Sequence, residues 1–139
     1  MIPNDPAPND SAPNDAALLL NVEDLTRSQA FYAELGFELI RSWPEGEARW
    51  CSMRCGSITI MLNETKRSRS SERRARGDYS DAVLYLYMDD AASFAAGREL
   101  PDCKVRHVGP QDYGLDEVWI RDPDGYHVVL ATDLNPDGA

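Results

Sequence analysis

Apolar residues recur at every second position in five short segments, and each segment is bounded by turn residues. AALLLNV (16–22), SITIML (57–62), AVLYLYM (82–88), the stretch around EVWIR (115–121) and the stretch around HVVLAT (126–132) all read as strands on this alternation. Two further strands are expected at about 37–42 and 48–53, split by Pro44-Glu45-Gly46, and another at about 102–108. Between them, Asp24 stands where a helix cap belongs, and Leu25 to Leu35 predicts a helix with Phe31, Tyr32 and Leu35 on one stripe, closed by Gly36. Asp89 and Asp90 predict the start of a shorter, alanine-rich helix over 91–99, stopped by Pro101. The order strand, helix, three strands therefore occurs twice. The expected fold is α/β (α+β): two βαβββ modules forming curved, cleft-enclosing mixed sheets with helices on the outer face.

Side chains alternate across a strand, so each strand sorts into two sets. One set is aliphatic throughout: Leu18, Leu20 and Val22; Ile58, Ile60 and Leu62; Leu84, Leu86 and Met88; Val118 and Ile120; Val128 and Leu130. Helices need an apolar surface to pack on, so this set predicts the helix-covered face. The other set holds Thr59, Met61, Tyr85, Tyr87, Glu117, Trp119, Arg121 and His127. A solvated face has no need of two tyrosines and a tryptophan, and a second buried layer would not take Glu117, Arg121 and His127. The mixture suits a ligand pocket; the alternative is a dimer interface, where Tyr, Trp and Arg are enriched, and both can hold in a fold of paired modules.

Domain limits follow from the same pattern. A single domain is expected over 16–132, with modules 16–62 and 82–132 joined by a basic linker, 63–81. Residues 1–15 repeat Pro-Asn-Asp three times and read as a flexible tail; 133–139 form a C-terminal tail. The chain has 139 residues, one domain's length. It has neither a spanning apolar run nor a signal-like leader, which predicts a cytoplasmic protein that does not enter the membrane. Three cysteines, Cys51, Cys55 and Cys103, read as reduced thiols. The net charge of −10 argues against nucleic acid as partner and favours a cationic ligand. The charge is unevenly placed, because Lys66 to Arg76 contains six basic residues and one acid. That island reads as a mobile solvated loop, as a clip onto an acidic neighbouring subunit, or as a receiver for an anionic part of a ligand.

VEDLTRSQAFYAELGFEL (22–39) resembles the opening helix signature of the vicinal-oxygen-chelate superfamily, which includes glyoxalases, extradiol dioxygenases and bleomycin-resistance proteins. RDPDGYHVVL (121–130) is similar to its closing hairpin. The resemblance covers about 16–132 and implies that the metal-dependent members' ligand positions fall on Ala17, Met61, Val83 and Val129. None of these side chains offers a hard donor, so no metal and no cofactor is expected.

Without that Lewis acid the resemblance points to the metal-free, dimeric, bleomycin-resistance-type binding proteins, whose penultimate strand and preceding loop GPQDYGLDEVWIRDPDG (109–125) resembles. The expected function is non-catalytic sequestration of a small aromatic, possibly cationic, molecule such as a bleomycin-like antibiotic, by a homodimer. Candidate ligand-binding residues are Trp50, Met61, Tyr85, Tyr87, Tyr113, Glu117, Trp119 and His127; Trp43 is a further stacking candidate. No catalytic residue is assigned, and the reading leans away from an enzyme. The alternative is a lyase or dioxygenase of the same superfamily with a relocated metal, or an enzyme in which His127, paired with Glu117, acts as acid and base.

Overall fold

A computed structural model describes residues 12–76, 81–100 and 103–137. Most of the Pro-Asn-Asp repeat, part of the linker, the expected helix stop Pro101 with Asp102, and the last two residues lie outside these. The elements run β1 (Leu18–Val22), α1 (Leu25–Glu34), β2 (Glu38–Trp43), β3 (Trp50–Cys55), β4 (Ile58–Glu64), α2 (Ser70–Arg76), β5 (Val83–Tyr87), α3 (Ala91–Ala96), β6 (Val105–Pro110), β7 (Leu115–Arg121) and β8 (His127–Asp133). They build two four-stranded mixed sheets, ordered β1-β4-β3-β2 and β5-β8-β7-β6. In each, the strand before the helix pairs parallel with the last strand of its module, and the other pairings are antiparallel. The sheets remain open, and no described helix is long and apolar enough to cross a membrane.

Local chemistry sets the helix limits. The Asp24 carboxylate accepts from the Arg27 amide at 3.0 Å, and Asp90 accepts from Ser93 at 3.0 Å, each satisfying a first-turn donor. α3 ends at Ala96 rather than at 99, because Gly97 takes the cap position and its N–H turns back onto the Ser93 and Phe94 carbonyls. β4 runs two residues past its expected end. Asn63 donates to Asn21 at 3.1 Å, and Glu64 accepts from the first amide of α1, Leu25, at 2.8 Å.

The aliphatic set forms one core shared by both modules: Leu20, Val22, Ile60, Leu62, Leu86, Val118, Ile120, Val128 and Leu130 join Phe31, Tyr32 and Leu35 of α1 and Ala91 and Ala95 of α3. Each such aliphatic or aromatic side chain gains about 1.5–3 kcal/mol on burial, and that gain decides which sheet face the helices cover.

The basic segment contains a helix, α2, tied to its own chain rather than left as a plain linker. Arg73 is buried. It donates to Asp81 at 2.9 Å, to the Asp124 carbonyl at 3.0 Å and to the Ser68 carbonyl at 2.9 Å, and it covers the Tyr126 ring at 3.8 Å. The fully buried Asp124 carboxylate accepts from Ser28 Oγ, Ser70 Oγ and the Glu23 amide, so one turn of the second module holds α1 and α2 together. Arg69, Arg74 and Arg76 pair with Glu72, Glu23 and Asp81. Such exposed pairs contribute about 0–1 kcal/mol each, so the buried Arg73 and Asp124 contacts are the anchor. Arg121, assigned above to the ligand face, instead donates to the Arg73 and Arg74 carbonyls at the end of α2.

Candidate functional site

The second sheet carries five of the eight candidate residues on its open face, and Tyr113 joins them from the turn before β7. Register places Val129 between Tyr85 and Trp119, and Ala131 between Tyr87 and Glu117. Val129 and Ala131 are short enough for the neighbouring large side chains to fold over them, and both are completely buried. The rings meet edge to face: Tyr85 and Trp119 have centroids 6.4 Å apart at 82°, and Trp119 and His127 are 5.6 Å apart at 67°.

At the centre lies Glu117, only 1% exposed. Its carboxylate accepts from the Trp119 indole at 2.8 Å, from the Tyr113 hydroxyl at 2.7 Å and from the Tyr85 hydroxyl at 3.1 Å. A buried carboxylate is costly unless its lone pairs are matched by donors, and three aromatic side chains supply them. The link to Glu117 pushes the Tyr113 hydroxyl far above the ordinary tyrosine range. Burial first, and then Glu117, raise Tyr85 as well. Tyr113 reaches Glu117 because the 111–114 turn reverses the chain. Gly114 there has φ +93°, and its N–H donates to the Gln111 carbonyl at 3.0 Å. The result is a hydrogen-bonded aromatic surface whose outer rings, Tyr87 and Tyr113, are 66% and 60% exposed.

Trp50 and Met61 stand on the other sheet, where the open face also carries Leu19, Ser52, Arg54 and Thr59. Arg54 donates to Thr59 Oγ1 at 3.0 Å beside a cavity of about 450 Å³ lined by Asp15, Ala16, Ala17, Ile40, Ser52, Arg54 and Thr59. Ring contacts and hydrogen bonds therefore join the second-sheet candidates into one cluster, while Trp50 and Met61 belong to a separate open face. Trp43 lies opposite Trp50 on the edge strand and is 66% exposed.

The pairing of His127 with Glu117 as acid and base is not what the fold builds. The two lie four register positions apart, about 13 Å along the strands, and Trp119 stands between them, bonded to one and in ring contact with the other. The positions that the resemblance assigns to metal ligands fall on the open faces as alkyl or thioether groups. Among the described residues no cluster of three or more His, Cys, Asp or Glu side chains is arranged to hold a metal ion.

Alternation placed Glu117 and Trp119 on one face, but it carried no sign of the shared acceptor. Tyr85 comes from another strand and Tyr113 from a turn, and only the folded register brings both to Glu117.

The fold matches known proteins. The chain is similar to a glyoxalase family protein from Bacillus cereus (TM-score 0.68, 19% identity, covering 92% of this chain and 99% of that one). It is similar to TnmS3, an antibiotic binding protein from Streptomyces sp. CB03234 (TM-score 0.66, 18% identity, 90% and 99% covered). It also resembles the bleomycin-binding protein of Streptomyces verticillus, solved with copper(II)-bleomycin (TM-score 0.61, 18% identity, 86% and 95% covered). None of the curated proteins matches the chain. The model of the Glyoxalase/Bleomycin resistance protein/Dioxygenase superfamily matches residues 16–130, and the chain belongs to that superfamily.

Proposed function

We propose that this protein sequesters a small aromatic molecule, such as a bleomycin-like antibiotic, without transforming it. The observation that carries the reading is the set of three aromatic side chains, Tyr85, Tyr113 and Trp119, tied to the buried Glu117 carboxylate, with Tyr87 open beside them. Planar ligands stack on such rings, and a surface already held by hydrogen bonds loses little entropy when the ligand arrives. The similar structures include proteins whose names are bleomycin-binding and antibiotic binding. Apolar side chains at Ala17, Met61, Val83 and Val129 support binding over metal-assisted catalysis.

The open face lacks a second wall, and a homodimer would supply one from the partner copy. The net charge of −10 fits an organic ligand better than nucleic acid, and the cytoplasm is the proposed compartment.

Titration with bleomycin, followed by tryptophan fluorescence, tests the proposal. Saturable quenching is expected, weakened about tenfold in Trp119→Ala or Tyr85→Ala, since one ring contact contributes about 0.5–1.5 kcal/mol beyond area burial. Sedimentation should give twice the chain mass. No response to bleomycin or to a panel of aromatic glycopeptides would overturn the reading.

A further inference from the structure

A cavity lies on the helix side of the molecule, away from both open sheet faces. It measures about 560 Å³ and is lined by Arg27, Ala30, Phe31 and Glu34 of α1, by Glu99, Leu100 and Cys103 after α3, and by Pro123 and Arg74. That volume is within the range of about 300–1,000 Å³ usual for small-molecule sites. Residues 27, 30, 31 and 34 are one stripe of the helix, so the cavity runs along α1.

One end carries arginines and the other glutamates. Arg27 and Arg74 meet at one end, where both reach Glu23, at 3.7 and 3.4 Å. Arg27 also lies 3.7 Å from the buried Asp124; it is ion-paired with both carboxylates, and its guanidinium makes no hydrogen bond among the described residues. At the other end Glu34 accepts the Glu99 backbone amide at 3.2 Å, and neither glutamate has a described basic partner. Seven helical positions separate Arg27 from Glu34, about 10 Å along the axis. Between the ends the wall is apolar: Ala30, the buried Phe31, Leu100 and Pro123.

We propose that this groove binds a zwitterionic molecule with an apolar middle and charged ends about 10 Å apart. Its anionic group would meet Arg27 and its ammonium group Glu34 and Glu99. An extended peptide advances about 3.3–3.6 Å per residue, so a tripeptide with free termini has the required length and charges. The Leu side chain of Ala-Leu-Ala would lie on Phe31.

Calorimetric titration of the full chain with Ala-Leu-Ala, its N-acetylated form and its C-amidated form tests this. Saturable binding of the free peptide is expected, about tenfold weaker when either end is capped. Ala30 is exposed on α1, so Ala30→Trp should fill the groove and abolish binding while leaving bleomycin quenching of Trp119 unchanged. Glu34→Gln should remove the preference for the free amine, and Arg27→Gln the preference for the free carboxylate; these two decide the matter if Ala30→Trp does not fold. The proposal is overturned if the free peptide does not bind, if all three peptides bind alike, or if binding survives in a folded Ala30→Trp.

Discussion

The indole N–H of Trp119 donates to the carboxylate of Glu117, 2.8 Å away and two positions earlier on the same strand. Residues two apart on a strand share a face, so the bond is available to any Glu-x-Trp in a strand. What is particular here is that the same carboxylate also collects Tyr85 and Tyr113. The aromatic surface is therefore held by a single buried carboxyl group.

Glu117→Gln should release that surface. The amide keeps one acceptor oxygen and replaces the other with a donor, so at least one aromatic donor loses its partner, at a cost of about 1–3 kcal/mol in urea denaturation. The bond to Glu117 is the first cause of the raised Tyr113 hydroxyl. Alkaline absorbance titration should therefore show one more tyrosine ionising near the ordinary range in the variant. An unchanged titration would contradict the contact.

Asp122 gives the protein an acid-side gain in stability. Its carboxyl is pushed up to about 6 by desolvation, reinforced by the charge of Asp124 and opposed by the hydrogen bond from Tyr32. The folded chain holds this proton more tightly than the unfolded chain, whose aspartate titrates near 3.9. Acidification from pH 7 towards about 4 should then stabilise the fold by up to about 3 kcal/mol. Denaturation midpoints across that window check the sign, and Asp122→Asn should flatten the slope.

Gly125→Ala should loosen α2. Gly125 has φ +86°, and an added Cβ would lie 2.8 Å from the backbone nitrogen of Arg74 and 3.0 Å from the carbonyl carbon of Arg73. Left-handed backbone alone costs an alanine about 1–2 kcal/mol, and neither backbone atom can yield without moving the helix. A loss of about 2 kcal/mol or more is expected, with faster amide exchange across 70–76 than in β7 and β8.

Incubation with Ni, Zn, Fe or Mn, followed by desalting and elemental analysis, should leave less than one metal per chain. Stoichiometric uptake that disappears in His127→Ala would instead reveal a relocated metal centre and return the protein to the enzymes of its superfamily.

Period-two alternation, the caps Asp24 and Asp90 and the turn residues determined the two βαβββ modules and the aliphatic core face. Each of these is a local property: a strand's two faces, a helix's first-turn donors and a glycine's backbone freedom depend on a few consecutive residues. The glutamate's role was decided only by the tertiary structure, because its donors come from positions 85, 113 and 119. So was the docking of α2. The sequence displays a run of basic residues but not the distance from Arg73 to Asp81 or to the Asp124 carbonyl, nor the buried Asp124 carboxylate that takes Ser28 and Ser70. Hydrogen-bond partners brought together from separate elements, as far as 96 positions apart for Ser28 and Asp124, follow from packing of the whole chain, and no local pattern encodes them.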